Sequence, residues 1–179
     1  LRKLRAICNY AYKEGMYGVN MDAFLCLGDD IKWDETTSKA VSDKVIEKIA
    51  NIDRTLFSPK EQLHLDLFLF SYYTGGMANV DVCNLTWDLV EDDRIVYERI
   101  KFPKTAKPIL ITKAKMIMNK YVGACYGNYV FPVFTLKHTT SSKRQTRVKQ
   151  ISKLVSRTLT KACKMLGITE NITWYSARG

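Results

Sequence analysis

A cluster of basic side chains in the second half of the sequence offers the clearest chemistry, which is the binding of an anion. Five lysines and arginines stand close together with three hydroxyl side chains among them: Lys137, Lys143, Arg144, Arg147 and Lys149, with Ser141, Ser142 and Thr146. Ammonium and guanidinium groups donate charge-assisted hydrogen bonds to phosphate, and hydroxyl groups are neutral donors. We therefore expect this cluster to contact a DNA backbone, which positions a duplex and reads little of its sequence.

The charge of the chain is unevenly distributed around a net value of +10. Residues 1–106 contain 14 lysines and arginines against 17 acids, whereas residues 107–179 contain 14 against one acid, Glu170. A positive field on the scale of a domain attracts polyanions, above all nucleic acid. The alternative is a solvated basic surface that has no partner.

The composition is that of a globular protein, since 46% of the 179 residues are hydrophobic and 26% are charged. This balance suits one domain with a small appendage. No apolar run reaches the roughly 20 residues that a membrane helix needs, and residues 1–5 do not resemble a signal peptide. The sequence starts at Leu1 rather than at a methionine, so we expect it to begin inside a longer protein.

The cysteines predict a reducing compartment. There are five, an odd number, and they are far apart in the sequence: Cys8, Cys26, Cys83, Cys125 and Cys163. This pattern fits neither a disulfide framework nor a closely spaced zinc site. We expect free thiols in a cytoplasmic protein, with no metal site.

Helical periodicity dominates the middle of the chain. Ser58, Pro59 and Glu61 form a start signal, which combines a capping serine, a proline at the first helical position and a capping-box glutamate. The helix that follows is apolar nearly all round as far as Phe70, so it should lie buried at the centre of the domain. Gly75-Gly76 should end it.

One hairpin is predicted between the helices. The alternation of side chains from Ile95 to Lys101 predicts a strand, and Pro108 to Thr112 predicts its antiparallel partner. A helix from Lys113 to Tyr121 should follow, and the apolar stripe from Val148 to Leu166 predicts a long helix that Gly167 ends. The sequence thus predicts a mainly α fold with a small antiparallel β-sheet, an α+β class.

A domain boundary is predicted near the start of the chain. Apolar residues recur at helical spacing from Leu4 to Ala11, and acids and threonines from Gly28 to Thr37 are typical of a loop. We expect residues 1–27 to end one helical domain, residues 28–40 to form a linker, and residues 41–179 to form a second domain.

Three segments of the second domain share an order that is typical of one family. The first comprises Phe68–Met77, Asp81 and Leu85–Trp87; the second is the hairpin Ile95–Ile111 with its lysines; the third is Tyr175–Arg178 after a basic helix. Together they resemble the catalytic domain of the tyrosine recombinases, or phage integrases. The resemblance implies that residues 1–27 end the family's core-binding (SAM-like) domain, and that the chain stops before the family's tyrosine nucleophile.

The resemblance also implies a chemistry. Family members attack a DNA phosphodiester with a tyrosine, form a phosphotyrosine intermediate and rejoin the strands, without metal or nucleotide cofactor. Arg178 stands at the second-arginine position, where a guanidinium clamps the phosphate. Tyr175 stands where many members have histidine. A hairpin lysine protonates the leaving group; Lys101, which continues the strand alternation, is preferred over Lys104, whose turn resembles the Lys-Thr-Gly-Lys of many members.

One departure from the family concerns the first arginine. Residues 74–79 contain no basic side chain, and the missing arginine falls at Gly75, or at Met77 in another alignment. Losing one preorganised donor costs about 3–4 kcal/mol of transition-state stabilisation. We expect Asp81, the acid of this segment, to brace a neighbour, and His64 to pack in the core rather than act as a base.

These features favour a DNA integrase, a cytoplasmic and nucleoid-associated recombinase whose partner is double-stranded DNA. The chain alone should be inactive, and family resemblance implies a tetramer on DNA. We expect no membrane contact and no small-molecule substrate. One alternative is a catalytically degenerate, DNA-binding relative of the integrases, and a third option is a basic RNA-associated or scaffold protein.

Overall fold

The computed structural model describes residues 2–24 and 41–178, so the predicted linker, residues 28–40, lies outside the described residues. The chain divides into two compact units, Leu1–Thr37 and Ser38–Gly179. In the first unit, helix α1 spans Arg2–Lys13, and a 3₁₀ turn follows at Asp22–Phe24.

The second unit contains the remaining helices and the sheet. They are α2 Asp43–Ala50, α3 Pro59–Tyr73, α4 Asn79–Cys83, α5 Thr112–Asn119 and α6 Ser141–Met165, with strands β1 Tyr97–Glu98 and β2 Thr105–Ala106. Short 3₁₀ turns occur at Arg54–Leu56, Trp87–Leu89 and Trp174–Ala177. The described part of the chain is therefore mainly helical with a two-stranded antiparallel sheet, which confirms the predicted fold class.

Helix α3 is the centre of the second unit, as its apolar sequence predicts. The Ser58 hydroxyl accepts a hydrogen bond from the Glu61 N–H at 3.4 Å, and the Glu61 carboxylate accepts one from the Ser58 N–H at 2.9 Å, so the predicted capping box is present. Leu65, Phe68 and Phe70 are fully buried. Burying each such side chain contributes roughly 1.5–3 kcal/mol, so α3 is a fixed frame for the segments around it.

Helix α6 packs along α3 through its apolar stripe. Val155 and Leu159 are fully buried, and the chain leaves the helix at Gly167, whose φ is +65°. His64 on α3 is buried and its Nδ1 lies 3.0 Å from the Thr158 hydroxyl on α6. Burial lowers the pKa of His64. The prediction that His64 packs in the core is therefore confirmed.

The hairpin differs from the prediction. β1 pairs antiparallel with β2, with Tyr97 opposite Ala106, so the return strand begins earlier than predicted, at 105–106. The predicted return segment, 108–112, contributes only an isolated antiparallel bridge, between Arg94 and Ile109. Pro108 has no N–H to donate to a ladder; its carbonyl accepts a hydrogen bond from the Ile95 N–H at 3.0 Å instead. The predicted strand is shorter too, because the chain already turns after Glu98.

Two further sequence predictions have structural outcomes. Cys8, Cys83, Cys125 and Cys163 are free, as expected, and Cys26 lies outside the described residues. Within residues 2–24 and 41–178, no helix is both long enough and apolar enough to cross a membrane.

Candidate functional site

A cleft of about 450 Å³ lies beside the C-terminal end of α3. It is bounded by the glycine turn after α3, by α4, by the hairpin and by the last described residue. Four basic side chains line it, together with one buried acid: Arg99, Lys101, Lys107 and Arg178, with Asp81. Three of the four cations come from the hairpin segment 99–107 and the fourth is Arg178, so the cleft is suited to an anion.

The 3₁₀ turn at Trp174–Ala177 positions Arg178. Trp174, Ser176 and Ala177 are buried, and they anchor the turn in the core. The Arg178 N–H donates to the Tyr175 carbonyl at 3.1 Å. The Arg178 side chain is exposed and therefore accessible to a ligand in the cleft.

The glycine turn lies directly under Arg178. Gly75 and Gly76 have φ values of +68° and +78°, which L side chains rarely adopt. A Cβ atom at Gly76 would lie 2.9 Å from the Arg178 Cα, whereas a Cβ atom at Gly75 would have nothing within 4 Å. Gly76 therefore lets the backbone of Arg178 approach, and Gly75, where the resemblance would place an arginine, faces open space.

Asp81 connects α4 to the hairpin. Its carboxylate accepts a hydrogen bond from the Ile100 N–H at 3.0 Å, so the acid braces the hairpin turn, as expected. Burial raises the pKa of Asp81, and the Ile100 N–H with the charges of Arg99, Arg178 and Lys101 opposes that rise. The carboxylate also offsets part of the positive charge of the cleft.

The geometry of the hairpin turn brings Lys101, and not Lys104, to the cleft. The Arg99 N–H donates to the Lys104 carbonyl at 3.2 Å, which closes the turn between them. Lys101 lines the cleft and Lys104 does not. Of the two predicted lysines, the structure thus brings Lys101 together with Arg178 and the turn at Gly75.

A second cleft, of about 310 Å³, adjoins the first and shares Lys101 and Arg178 with it. Tyr175 lines this second cleft, is 65% exposed, and has the Arg178 guanidinium 5.9 Å from its ring centroid. The Asn79 amide donates to the Ser152 hydroxyl of α6 at 2.6 Å, and both residues also line the second cleft. The two clefts form neighbouring sites on either side of Arg178.

The predicted basic cluster at 137–149 divides into two groups. Lys137, Lys143 and Lys149 are exposed. Arg144 donates to the Thr139 carbonyl at 3.0 Å, and Arg147 donates to the Val133 carbonyl at 3.0 Å. The two arginines therefore hold the loop before α6, while the three lysines remain accessible to an anion.

Sequence reasoning did not assign Arg99 or Lys107 to the site, although both line the cleft. The signal for Arg99 was its place two residues before Lys101 in the alternating segment. Lys107 is the last residue of the Lys-Thr-Ala-Lys segment that begins at Lys104, but whether it reaches the cleft depends on where β2 begins.

A scan against protein-family models, a search of curated proteins and a search of solved structures each found no match. Function is therefore inferred from the cleft and the side chains that line it. The charged groups of the cleft are four cations and one buried acid, and they lie beside a turn of two glycines.

Proposed function

We propose that this chain is the phosphate-gripping part of a DNA strand-exchange protein of the tyrosine-recombinase kind. The observation that carries the proposal is the convergence of Arg178, Lys101 and Arg99 on one cleft beside the glycine turn. Arg178 lies 77 positions after Lys101 in the sequence, so the fold and not local sequence brings it to the two basic residues of the hairpin.

The proposed ligand is one phosphate of duplex DNA. Arg178 offers two parallel N–H donors to two phosphate oxygens, and Arg99 and Lys101 add positive charge from the hairpin. During strand cleavage, charge develops on the nonbridging oxygens, which these donors stabilise. In this proposal Lys101 gives a proton to the leaving 5′-oxygen.

The tyrosines that border the clefts are not proposed as nucleophiles. Tyr97 lines the first cleft, but it is 7% exposed, and burial raises its pKa, which disfavours the phenolate. Tyr175 faces the second cleft. A phenol there donates to a phosphate oxygen. We therefore expect this chain alone to bind DNA without cleaving it.

A second function is favoured by one specific observation, the empty position at Gly75. With no side chain there, one phosphate donor of the family pattern is missing, at a cost of about 3–4 kcal/mol in the transition state. A protein that still binds the phosphate but no longer cleaves the DNA strand would be a DNA-binding relative of the integrases. Both functions predict the same cleft–phosphate contact and differ only in covalent chemistry.

The test of both is duplex binding measured by fluorescence anisotropy over a series of salt concentrations. Affinity should fall linearly with salt on a log–log scale, because each contacted phosphate releases counterions. Arg178→Ala should weaken binding about tenfold or more and reduce the salt slope by about 1. The matched control is Arg94→Ala, because Arg94 is exposed and does not line the cleft.

Two outcomes would contradict the proposal. One is no binding of duplex DNA at low salt; the other is an equal loss for Arg94→Ala and Arg178→Ala. Tighter binding of double-stranded RNA than of DNA would favour the RNA-associated alternative. Self-association on DNA and location at the nucleoid are further parts of the proposal, and both require that the chain binds duplex DNA.

A further inference from the structure

An aromatic side chain stands at the mouth of the cationic cleft. Phe102 is 77% exposed and lines the cleft, together with the basic side chains. It lies at the tip of the hairpin, between the residues that close the turn, Arg99 and Lys104. A large apolar ring in water beside four cations has no role in the packing of the core, so its surface is available to a ligand.

The hairpin tip is held in place, although its strands are short. The Ile100 N–H is bonded to the buried Asp81 carboxylate at 3.0 Å. Pro103 follows Phe102, and a proline restricts the preceding residue to extended backbone conformations. The ring is therefore presented by a constrained segment, which reduces the entropy that is lost when it binds.

The chemistry of the Phe102 ring indicates which part of a ligand it would contact. Phenylalanine has no hydrogen-bonding group, so it cannot bind phosphate; it offers an apolar face and an aromatic ring. A nucleotide carries both a phosphate, for Arg178 and Lys101, and a base, for the ring. Proteins that bind single strands combine basic grooves with aromatic side chains on which bases stack. An apolar protein surface would instead have to desolvate the neighbouring lysines without pairing them.

We propose that Phe102 stacks on an unpaired base next to the phosphate that the cleft holds. This inference rests on the proposed function and deepens it, because it names the form of DNA that the cleft favours: a duplex with an accessible base. In a fully paired duplex the bases are stacked on one another, and the ring finds no open face.

The experiment uses two duplexes of the same sequence, one fully paired and one with a single unpaired 2-aminopurine. The wild-type chain should bind the second more tightly, by about tenfold, since one stacked base contributes roughly 1–3 kcal/mol. Binding should also quench the 2-aminopurine fluorescence. Phe102→Ala and Phe102→Leu should bring the ratio of the two affinities close to one and abolish the quenching, whereas Phe102→Trp should retain both.

The matched control is Ile100→Ala. Ile100 lies on the same turn, is 54% exposed and does not line the cleft. If this variant loses the preference as Phe102→Ala does, the effect is one of general apolar surface and the proposal is wrong. The same conclusion follows if Phe102→Leu keeps the quenching, or if Phe102 variants change self-association and leave the ratio of affinities as in the wild type.

The failure of this inference is distinct from the failure of the proposed function. If the wild-type chain binds both duplexes equally and in a salt-dependent manner, the result supports phosphate binding by the cleft and excludes base stacking by Phe102. If it binds neither duplex at low salt, the proposed function fails and the stacking role fails with it.

Discussion

Gly76 and Arg178 are in direct contact at the edge of the cleft: a Cβ atom at position 76 would lie 2.9 Å from the Arg178 Cα and 3.2 Å from its Cβ. The turn after α3 and the end of the described chain are therefore fitted to one another at the backbone. This close approach limits where the Arg178 backbone can lie, so we expect it to help position the guanidinium in the cleft.

Gly76→Ala should displace Arg178 and weaken DNA binding about tenfold or more, because a methyl group cannot occupy the space of the Arg178 backbone. The control is Gly75→Ala, since its added Cβ has nothing within 4 Å. Both substitutions place an L residue at positive φ, which costs about 1–2 kcal/mol. Anisotropy titrations and thermal unfolding of both variants would measure this; equal losses of affinity would show that the contact does not position Arg178.

Asp81→Asn should strengthen DNA binding. The variant removes a negative charge that lies among Arg99, Lys101 and Arg178, and its amide oxygen still accepts the Ile100 N–H. Asp81→Ala has the same charge but no acceptor, so it should lose about 1–3 kcal/mol of stability. Anisotropy and urea unfolding separate the two effects, and tighter binding by Asp81→Ala alone would contradict this account.

The raised pKa of Asp81 gives the sign of a pH effect on stability. Because burial lifts the folded pKa above the ordinary value of 3.8, the folded state binds the proton more tightly than the unfolded state. The contribution of Asp81 to stability is therefore fully present below pH 3.8 and is lost as the pH rises through the folded pKa. As the pH rises from 3.8 through the folded pKa of Asp81, we expect the free energy of unfolding of Asp81→Asn to increase relative to that of the wild type.

Glu61 should show the opposite sign. The Ser58 N–H, the Lys161 ammonium at 3.0 Å and the Ser58 hydroxyl lower the pKa of Glu61 from 4.5 to about 2. The stabilisation from its charged form is then present above pH 4.5 and is lost as the pH falls towards 2. Urea unfolding of Glu61→Gln and wild type from pH 6 to pH 2 should give a difference that shrinks with acid. Glu98→Gln, which removes an exposed acid, is the control, and an acid-independent difference for Glu61→Gln would contradict the assignment.

Local rules account for much of the fold. The capping box at Ser58 and Glu61, the apolar α3 and the stripe of α6 are signals carried by residues three or four positions apart, and these elements formed as expected. The hairpin was predicted in part: the segments at 95 and 108 do meet, through the bond from the Ile95 N–H to the Pro108 carbonyl, but the paired strands lie at 97–98 and 105–106. Alternation in the sequence cannot tell where a strand stops pairing.

The members of the candidate site were predicted in part, and its geometry was not. Arg178, Lys101 and the position of Gly75 were assigned from the resemblance, and they line one cleft. The approach of Gly76 to Arg178 was not predicted, because it joins residues that are about 100 positions apart in the sequence and depends on packing against α3. The exposure of Phe102 could not be predicted either, since an aromatic residue beside Pro103 is equally consistent with core packing.

Gly75→Arg should strengthen the grip on phosphate. The added Cβ meets nothing within 4 Å, and the side chain begins at the rim of the cleft, where a second guanidinium would face Arg178 and Lys101 across a bound anion. At φ +68° the substitution is strained by about 1–2 kcal/mol, so Gly75→Gln, with the same strain and no charge, is the matched control. In titrations with duplex DNA, Gly75→Arg should bind several-fold more tightly than Gly75→Gln and have a steeper salt dependence. Equal affinities would place Gly75 outside the phosphate site and would remove the argument that an arginine is missing there.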